Sequence, residues 1–311
     1  MTPIGQATAI TLLDAAVAKQ RIAPAYLFVG PDGVGKSIAA RYFAQLLLAG
    51  REPRVQKSDR QQLTNFPDLL WVEPTYLHNG KRLTASEAAE AGVQRKTPPQ
   101  IRLDQIREIA QFLSRPPLEA DRSVIVLEQA QTMAESAVNG LLKTLEEPGR
   151  ATLILLAPSI ESLLPTLVSR CQRIPFSRLS QTDLAQVLRQ TGYTDILSYP
   201  AVLATAQGSP GAAITAWQYL DRIPPELLAR VTQFPRSLRE ALQIAKEIAA
   251  TLEPTDQLWL LDYLQQHYWL QYLQGNIAVC PLQTLENARQ HLRSYVQPRL
   301  VWEVALMEIK G

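Results

Sequence analysis

Gly30, Gly33, Gly35, Lys36 and Ser37 lie in the run "GPDGVGKS", which fits G-x-x-x-x-G-K-[ST], the loop that cradles the phosphates of a nucleotide. The glycines let the backbone come close enough for its N–H groups to reach phosphate oxygens. Lys36 is placed to contact the β and γ phosphates, and the Ser37 hydroxyl to hold a magnesium ion. The plain alternative, a glycine-rich turn with no ligand, weakens once the flanks are read. "AYLFV" at 25–29 spells a buried strand, and "IAARYFAQLLLAG" at 38–50 spells a helix stopped by Gly50.

A second constellation stands at "VIVLEQAQTM", residues 124–133. Its apolar run ends in Glu128, a carboxylate suited to the magnesium shell. The next residue, Gln129, occupies the place where a hydrolytic site carries the carboxylate that activates water. An amide is not basic at neutral pH, so it can orient a water but cannot take its proton. A core strand with a polar end is the other reading of the same run.

The elements that must position these groups alternate between strand and helix. A first amphipathic helix is expected over 8–19, ahead of the "AYLFV" strand. "IRLDQIREIAQFLSRPP" keeps helical spacing through Ile101, Ile106, Ile109 and Leu113 until Pro116 and Pro117 stop it. "SVIVLE" and "ATLILLAP" are strands, and "SAVNGLLKTLEEPG" between them is a helix. Strands that are continuous apolar runs, alternating with helices, predict a parallel sheet covered on both faces. Residues 51–100 break this rhythm. They are polar, carry Arg51, Arg54, Lys57, Arg60, Lys81, Arg82, Arg95 and Lys96, and offer one strand, "DLLWVEP". The segment reads as a long insertion of loops. Its basic residues could touch nucleic-acid phosphates, but a solvated loop is the stronger reading.

After Phe176 the pattern is helical. "SQTDLAQVLRQTG" opens with Ser180 and Asp183 at capping-box spacing, and helices follow at about 199–207 and 209–220. Pro224 and Pro225 mark a boundary before longer helices at 237–252, 255–274, 282–296 and 298–309. In the first of these, Leu238, Ala241, Leu242, Ala245, Ile248 and Leu252 form one apolar stripe. The expected organisation is an α/β nucleotide domain over 1–176, a small helical domain over 177–222 and a helical C-terminal domain over 223–311.

Composition excludes several classes. With 311 residues, 46% of them apolar and 19% charged, the chain is a soluble globular protein of more than one domain. Its 31 Lys plus Arg against 29 Asp plus Glu do not mark it as a general nucleic-acid binder. Only Cys171 and Cys280 are present, which rules out a disulfide framework or a four-cysteine zinc site. His78, His267 and His291 lack metal-ligand spacing, and Trp217, Trp259, Trp269 and Trp302 sit on helical patterns that suit packing. No run is apolar enough for a membrane span, so a cytoplasmic location is expected.

The motifs taken together resemble a known family. "IGQ" at 4–6, "AYLFVGPDGVGKS" at 25–37, "NGLLKTLEEP" at 139–148 and "LLPTLVSRCQRIPF" at 163–176, in this order, are similar to the clamp-loader subunits of bacterial DNA polymerase III, an AAA+ family. The delta-prime branch is the most similar. The resemblance covers nearly the whole chain and is weakest in 51–100 and the C-terminal third. It implies an α/β AAA+ P-loop domain followed by a small helical lid and an all-helical collar. It implies ATP and magnesium as ligands, gamma/tau and delta subunits as partners in a hetero-pentameric ring, and the sliding clamp and primer-template DNA as what the ring handles. The arginine of the "SRC" motif, here Arg170, would complete the ATP site of the neighbouring subunit. A guanidinium suits that task because it stays charged and binds phosphate oxygens in a fork. An ordinary surface ion pair is the bland alternative for Arg170.

Departures from the family pattern are informative too. The polar position after "TLILL" is replaced by Ala157, Pro158 and Ser159, and the arginine of "GSxGRA" by Ala212 in "GSPGAA". No cysteine occurs in 51–100, so the zinc module of many relatives is not expected. The losses at Glu128, Gln129, Ala157 and Ala212 all fall on the chain's own hydrolytic machinery, whereas Arg170 is retained. The expectation is a subunit that binds ATP with weak or no hydrolysis and acts on its neighbour. A slow gamma/tau-like motor is the alternative, and an unrelated P-loop kinase is a third reading that the "LLKTLEEP" and "SRC" motifs disfavour.

Overall fold

In the computed structural model, residues 3–49, 66–92 and 97–309 are described. They form two compact units, residues 1–179 and 180–311. Gly50 and the basic residues Arg51, Arg54, Lys57, Arg60, Arg95 and Lys96 lie outside the described residues.

The first unit is built on a five-stranded parallel sheet. Its strands are β1 (Ala25–Val29), β2 (Leu69–Val72), β5 (Ser123–Leu127), β6 (Ala151–Ala157) and β7 (Gln172–Pro175), in the order β2-β5-β6-β1-β7. Every residue of β5 and β6 is buried, because helices cover both faces. On one face Leu27, Ile125, Leu127, Leu153 and Leu155 pack against Ile106 and Ile109 of α4 (Leu103–Leu113) and Leu141 and Leu145 of α5 (Glu135–Glu146). On the other, the rings of Tyr26 and Phe28 meet Phe43 of α2 (Lys36–Leu48), with centroids 4.9 and 6.5 Å apart. Each such fully buried side chain contributes roughly 1.5–3 kcal/mol relative to exposure. The helix α1 (Ala7–Ala18) packs beside α2.

Two parts of this unit depart from the sequence reading. The polar segment before residue 100 contains more than the "DLLWVEP" strand: a hairpin of β3 (Tyr76–His78) and β4 (Lys81–Leu83) turns on Asn79 and Gly80, and a short helix α3 (Ala85–Glu90) follows. Both turn residues have positive φ, 49° and 77°, the conformation that Asn-Gly hairpins require. The edge strand β7 was also not expected from "QRIP", since only Ile174 among its four residues is buried. The run lacks the apolar signal that β5 and β6 carry, and pairing with β1 rather than burial makes it a strand.

The second unit is helical: α7 (Gln181–Gln190), α8 (Pro200–Ala206), α9 (Pro210–Asp221), α10 (Pro225–Val231), α11 (Leu238–Thr251), α12 (Pro254–Leu273), α13 (Leu282–Arg293) and α14 (Pro298–Glu308). Ser180 caps α7 as its spacing predicts, accepting the Asp183 N–H at 3.1 Å. Pro225 opens α10 at its first turn, where a missing N–H costs nothing. The α11 stripe needs one correction. Leu238 is 62% exposed, and Ile244, one residue short of Ala245 on the same face, is buried instead. Residue 238 is the first of the helix, and the buried stripe begins at Ala241, one turn later. Trp302 is fully buried and donates to Gln257 at 2.9 Å, whereas Trp269 is 40% exposed and stacks on Tyr272 at the surface. Among the described residues no helix is long and apolar enough to cross a membrane.

Candidate nucleotide site

The phosphate-loop residues sit where β1 ends and α2 begins. At Gly30 the backbone runs so close to Phe176 that a Cβ would lie 2.2 Å from the Phe176 carbonyl oxygen, so only glycine fits. Gly35 adopts φ +100° as the residue before α2, a left-handed turn that aims the first helical N–H groups outward. The free N–H groups of a helix N-terminus form an anion site.

A pocket of about 430 Å³ opens there, lined by Asp32, Gly33, Gly35, Lys36, Ser37, Glu128, Gln129 and Leu156 among others. The sheet order explains the convergence. β6 lies between β1 and β5, with Val29 level with Ala157 and Leu127 level with Leu155, so the loop after β1 and Glu128 after β5 emerge side by side. Lys36, Ser37 and Glu128, which the sequence assigns to nucleotide and magnesium, therefore share one cavity. The glycine-shaped loop, the helix start and a hydroxyl beside a carboxylate fit a magnesium nucleotide. Gln129, exposed and at φ 48°, borders the same space.

Lys36 is 7% exposed. Its ammonium donates to the Gly30 carbonyl, to the Pro31 carbonyl at 2.8 Å and to Asp32 Oδ1 at 3.1 Å. Burial pulls its pKa below the usual lysine value, and the negative charges of Asp32 and then Glu128 pull it back. Asp32 has no role in the sequence reading; its position in a loop of free composition gave no signal. Gln6 is a second such residue. Buried and part of "IGQ", it donates from Nε2 to the carbonyls of Val34 at 3.2 Å and Ser177 at 2.7 Å, and accepts the Ser177 N–H at 3.2 Å. One side chain thus ties the phosphate loop to the chain leaving the sheet.

The strand β6 ends at Ala157, whose carbonyl accepts the Gly30 N–H at 3.2 Å. Ser159 offers its hydroxyl to Glu161, whose carboxyl is held below its usual pKa by its own backbone N–H and then by that hydroxyl. Ala212 is the third residue of α9, and its N–H is taken by the Ser209 cap at 3.1 Å. Neither Ala157 nor Ala212 carries a polar side chain to offer a nucleotide.

Arg170 lies elsewhere. It follows α6 (Pro165–Val168) and precedes β7, whose first residue is level with Tyr26 near the start of β1. The four strand steps from Tyr26 to Gly30 put roughly 13 Å between that level and the phosphate loop. Because the strands are parallel, Arg170 and the loop occupy opposite ends of the sheet. The guanidinium is 39% exposed, bonded to Glu146 Oε1 and to the Thr166 carbonyl, both at 3.1 Å. Glu146 belongs to "LLKTLEEP", so the two most specific motifs of the sequence meet in space. The thiol of Cys171 is pushed up to about 11 by burial and packs on the core, so it is not a nucleophile at neutral pH. Among the described residues no group of three or more His, Cys, Asp or Glu could hold a metal by itself.

A parallel sheet with a phosphate loop after its fourth-placed strand, an acidic strand end across one intervening strand and a following helical unit define an AAA+ P-loop fold. Comparison with known proteins makes this specific. The family profile "DNA polymerase III, delta subunit" matches residues 5–180, and "Cyanobacterial DNA polymerase III delta prime, C-terminal domain" matches 182–309. The chain belongs to the DNA polymerase III delta-subunit family and is delta-prime-like. DNA polymerase III subunit delta' of Bacillus subtilis is 32% identical over 180 residues, 56% of this chain and 48% of the relative. The same subunit of Pseudomonas aeruginosa is 34% identical over 156 residues, 48% of this chain and 42% of the relative. The matched region thus spans about half the length of these curated relatives. A crystal structure of a DNA polymerase III gamma subunit-related protein from Thermotoga maritima aligns over 97% of this chain and 98% of its own, with a TM-score of 0.55 and 17% identity, which bears on the fold alone.

Proposed function

We propose that this chain is a cytoplasmic, largely non-hydrolysing member of a clamp-loader ring, which holds a magnesium nucleotide passively and offers Arg170 to the ATP site of a neighbouring gamma/tau-type subunit. The observation that carries the reading is the placement of Arg170: half exposed on a rim, at the end of the sheet opposite the chain's own phosphate loop. An arginine there cannot serve its own site but can meet phosphates presented by an adjacent subunit. In the chain's own pocket Lys36 and the α2 N-terminus would hold the phosphates, with Ser37 and Glu128 beside the magnesium ion, whose charge would screen the phosphates from the two carboxylates. Gln129 can hold a water by hydrogen bonding and cannot deprotonate it. Ala157 and Ala212 likewise carry no polar side chain that could serve hydrolysis.

In this reading residues 177–222 act as a lid and 223–311 as a collar that joins the other subunits. Gamma/tau and delta subunits complete a hetero-pentamer that places the sliding clamp on primed DNA. The test is ATP turnover by the reconstituted ring with clamp and primed DNA. Arg170→Ala is expected to abolish the contribution of the site it faces, while Lys36→Ala leaves turnover nearly unchanged.

A motor reading has one observation in its favour, the gathering of Lys36, Ser37 and Glu128 in a single pocket. It requires that the isolated chain hydrolyse ATP and that Lys36→Ala remove that activity.

A further inference from the structure

The phosphate pocket carries an unusual charge balance. Among the described residues that line it, Lys36 is the one cation, and Asp32 and Glu128 are both acidic. An ammonium has three N–H donors, and all three of Lys36 are engaged within the loop, by the Gly30 and Pro31 carbonyls and by Asp32. The lysine is buried, whereas the Asp32 side chain is 73% exposed at the pocket mouth. A phosphate arriving at Lys36 must therefore take over a hydrogen bond that a carboxylate already makes, and do so beside that carboxylate's charge.

We infer that Asp32 sets the nucleotide affinity of this site. It is a carboxylate stand-in for phosphate, which keeps Lys36 partnered and makes binding depend on a divalent cation to screen the triphosphate. The inference rests on the nucleotide-site reading above and adds to it a residue that governs how tightly the magnesium nucleotide of that reading is held. Asp32 acts through Lys36 and is a positioning residue, not a catalytic one.

The same geometry explains how a chain can keep every element of the phosphate loop and still be a poor receiver of phosphate. In a loop whose third position is neutral, Lys36 would have one donor to give at no electrostatic cost. Here the donor is exchanged, carboxylate for phosphate, and the exchange gains little unless magnesium neutralises the incoming charge.

The experiment is a titration of the full-length chain with a fluorescent ATP analogue, with magnesium and with EDTA, for the wild type, Asp32→Asn, Asp32→Glu and Lys36→Ala. Asp32→Asn is expected to tighten binding about tenfold, the effect of one unit charge at roughly 6 Å under an effective dielectric constant of about 40. The gain should be larger in EDTA than in magnesium, and should shrink as salt rises. Asp32→Glu, which keeps the charge, should stay within about threefold of wild type. Binding that depends on Lys36 but does not change, or weakens, in Asp32→Asn overturns the inference and leaves the nucleotide site standing. If no variant binds the analogue and Lys36→Ala behaves as wild type, the nucleotide site itself is refuted, and the inference with it. Circular dichroism of each variant separates these results from misfolding.

Discussion

The two ends of the central sheet are built on different principles. At the carboxyl ends of the strands, Lys36 is buried, fully hydrogen-bonded and surrounded by segments that cannot move independently: Gly30 abuts Phe176, and Gln6 ties Val34 to Ser177. At the amino ends, Arg170 is half exposed and held by one carboxylate and one carbonyl at the surface. A cation that is buried and internally satisfied can take a ligand only by exchanging a partner it already holds. An exposed guanidinium with a replaceable partner is suited to charge that arrives from outside. Within this unit the contrast places Glu128, Gln129 and Ala157 on the first end and Arg170 on the second.

Substitutions can break or sharpen this contrast. Gly30→Ala should have the largest effect on stability, since a Cβ 2.2 Å from a backbone oxygen forces the loop away from Phe176. A loss of about 3 kcal/mol or more is expected in urea unfolding of the chain. A near-neutral result would mean that the loop end is not as tightly joined as its contacts imply. Gln6→Ala removes a buried side chain that makes three hydrogen bonds to two distant segments. About 2 kcal/mol should be lost, with faster amide exchange at Ser177, whose N–H loses its acceptor. Unchanged exchange there would deny Gln6 its tying role.

At the other end the expected effects on stability are small. Glu146→Gln breaks a surface ion pair worth about 1 kcal/mol or less, so unfolding should barely change. If it instead destabilises the chain strongly, Arg170 is a structural residue and the contrast fails. The small size of this effect is itself part of the account: a guanidinium that must reach an outside phosphate cannot be costly to release.

Much of this was legible in the sequence where the physics is local. β5 and β6 were readable as strands because burial on both faces demands continuous apolar runs, and α4, α5 and α7 as helices because their apolar spacing or caps are confined to a few turns. The phosphate loop was readable because its glycines answer a steric requirement that few other residues meet. β7 was not, since a single buried Ile174 leaves no periodicity and pairing with β1 is a long-range fact. The β3–β4 hairpin had its Asn79-Gly80 turn in plain view, but its strands are three residues long and only partly buried, so the turn went without flanks to support it. Long-range pairing also hid the partners of the site. Glu146 and Arg170 stand 24 positions apart and Gln6 and Ser177 171 apart, and no spacing rule joins them. Asp32 was hidden for the opposite reason: it lies inside a recognised motif, at a position the motif leaves free.

The central claim is that the chain acts on a neighbour through Arg170 and not on its own nucleotide. The most direct measurement is ATP turnover by the reconstituted ring, stimulated by clamp and primed DNA, with Arg170→Ala and Lys36→Ala introduced separately. The account predicts that Arg170→Ala slows hydrolysis at the adjacent site by roughly 10³-fold, in the range known for arginine fingers, while Lys36→Ala leaves ring turnover within about twofold. Loss of turnover in Lys36→Ala, with Arg170→Ala indistinguishable from wild type, would contradict it.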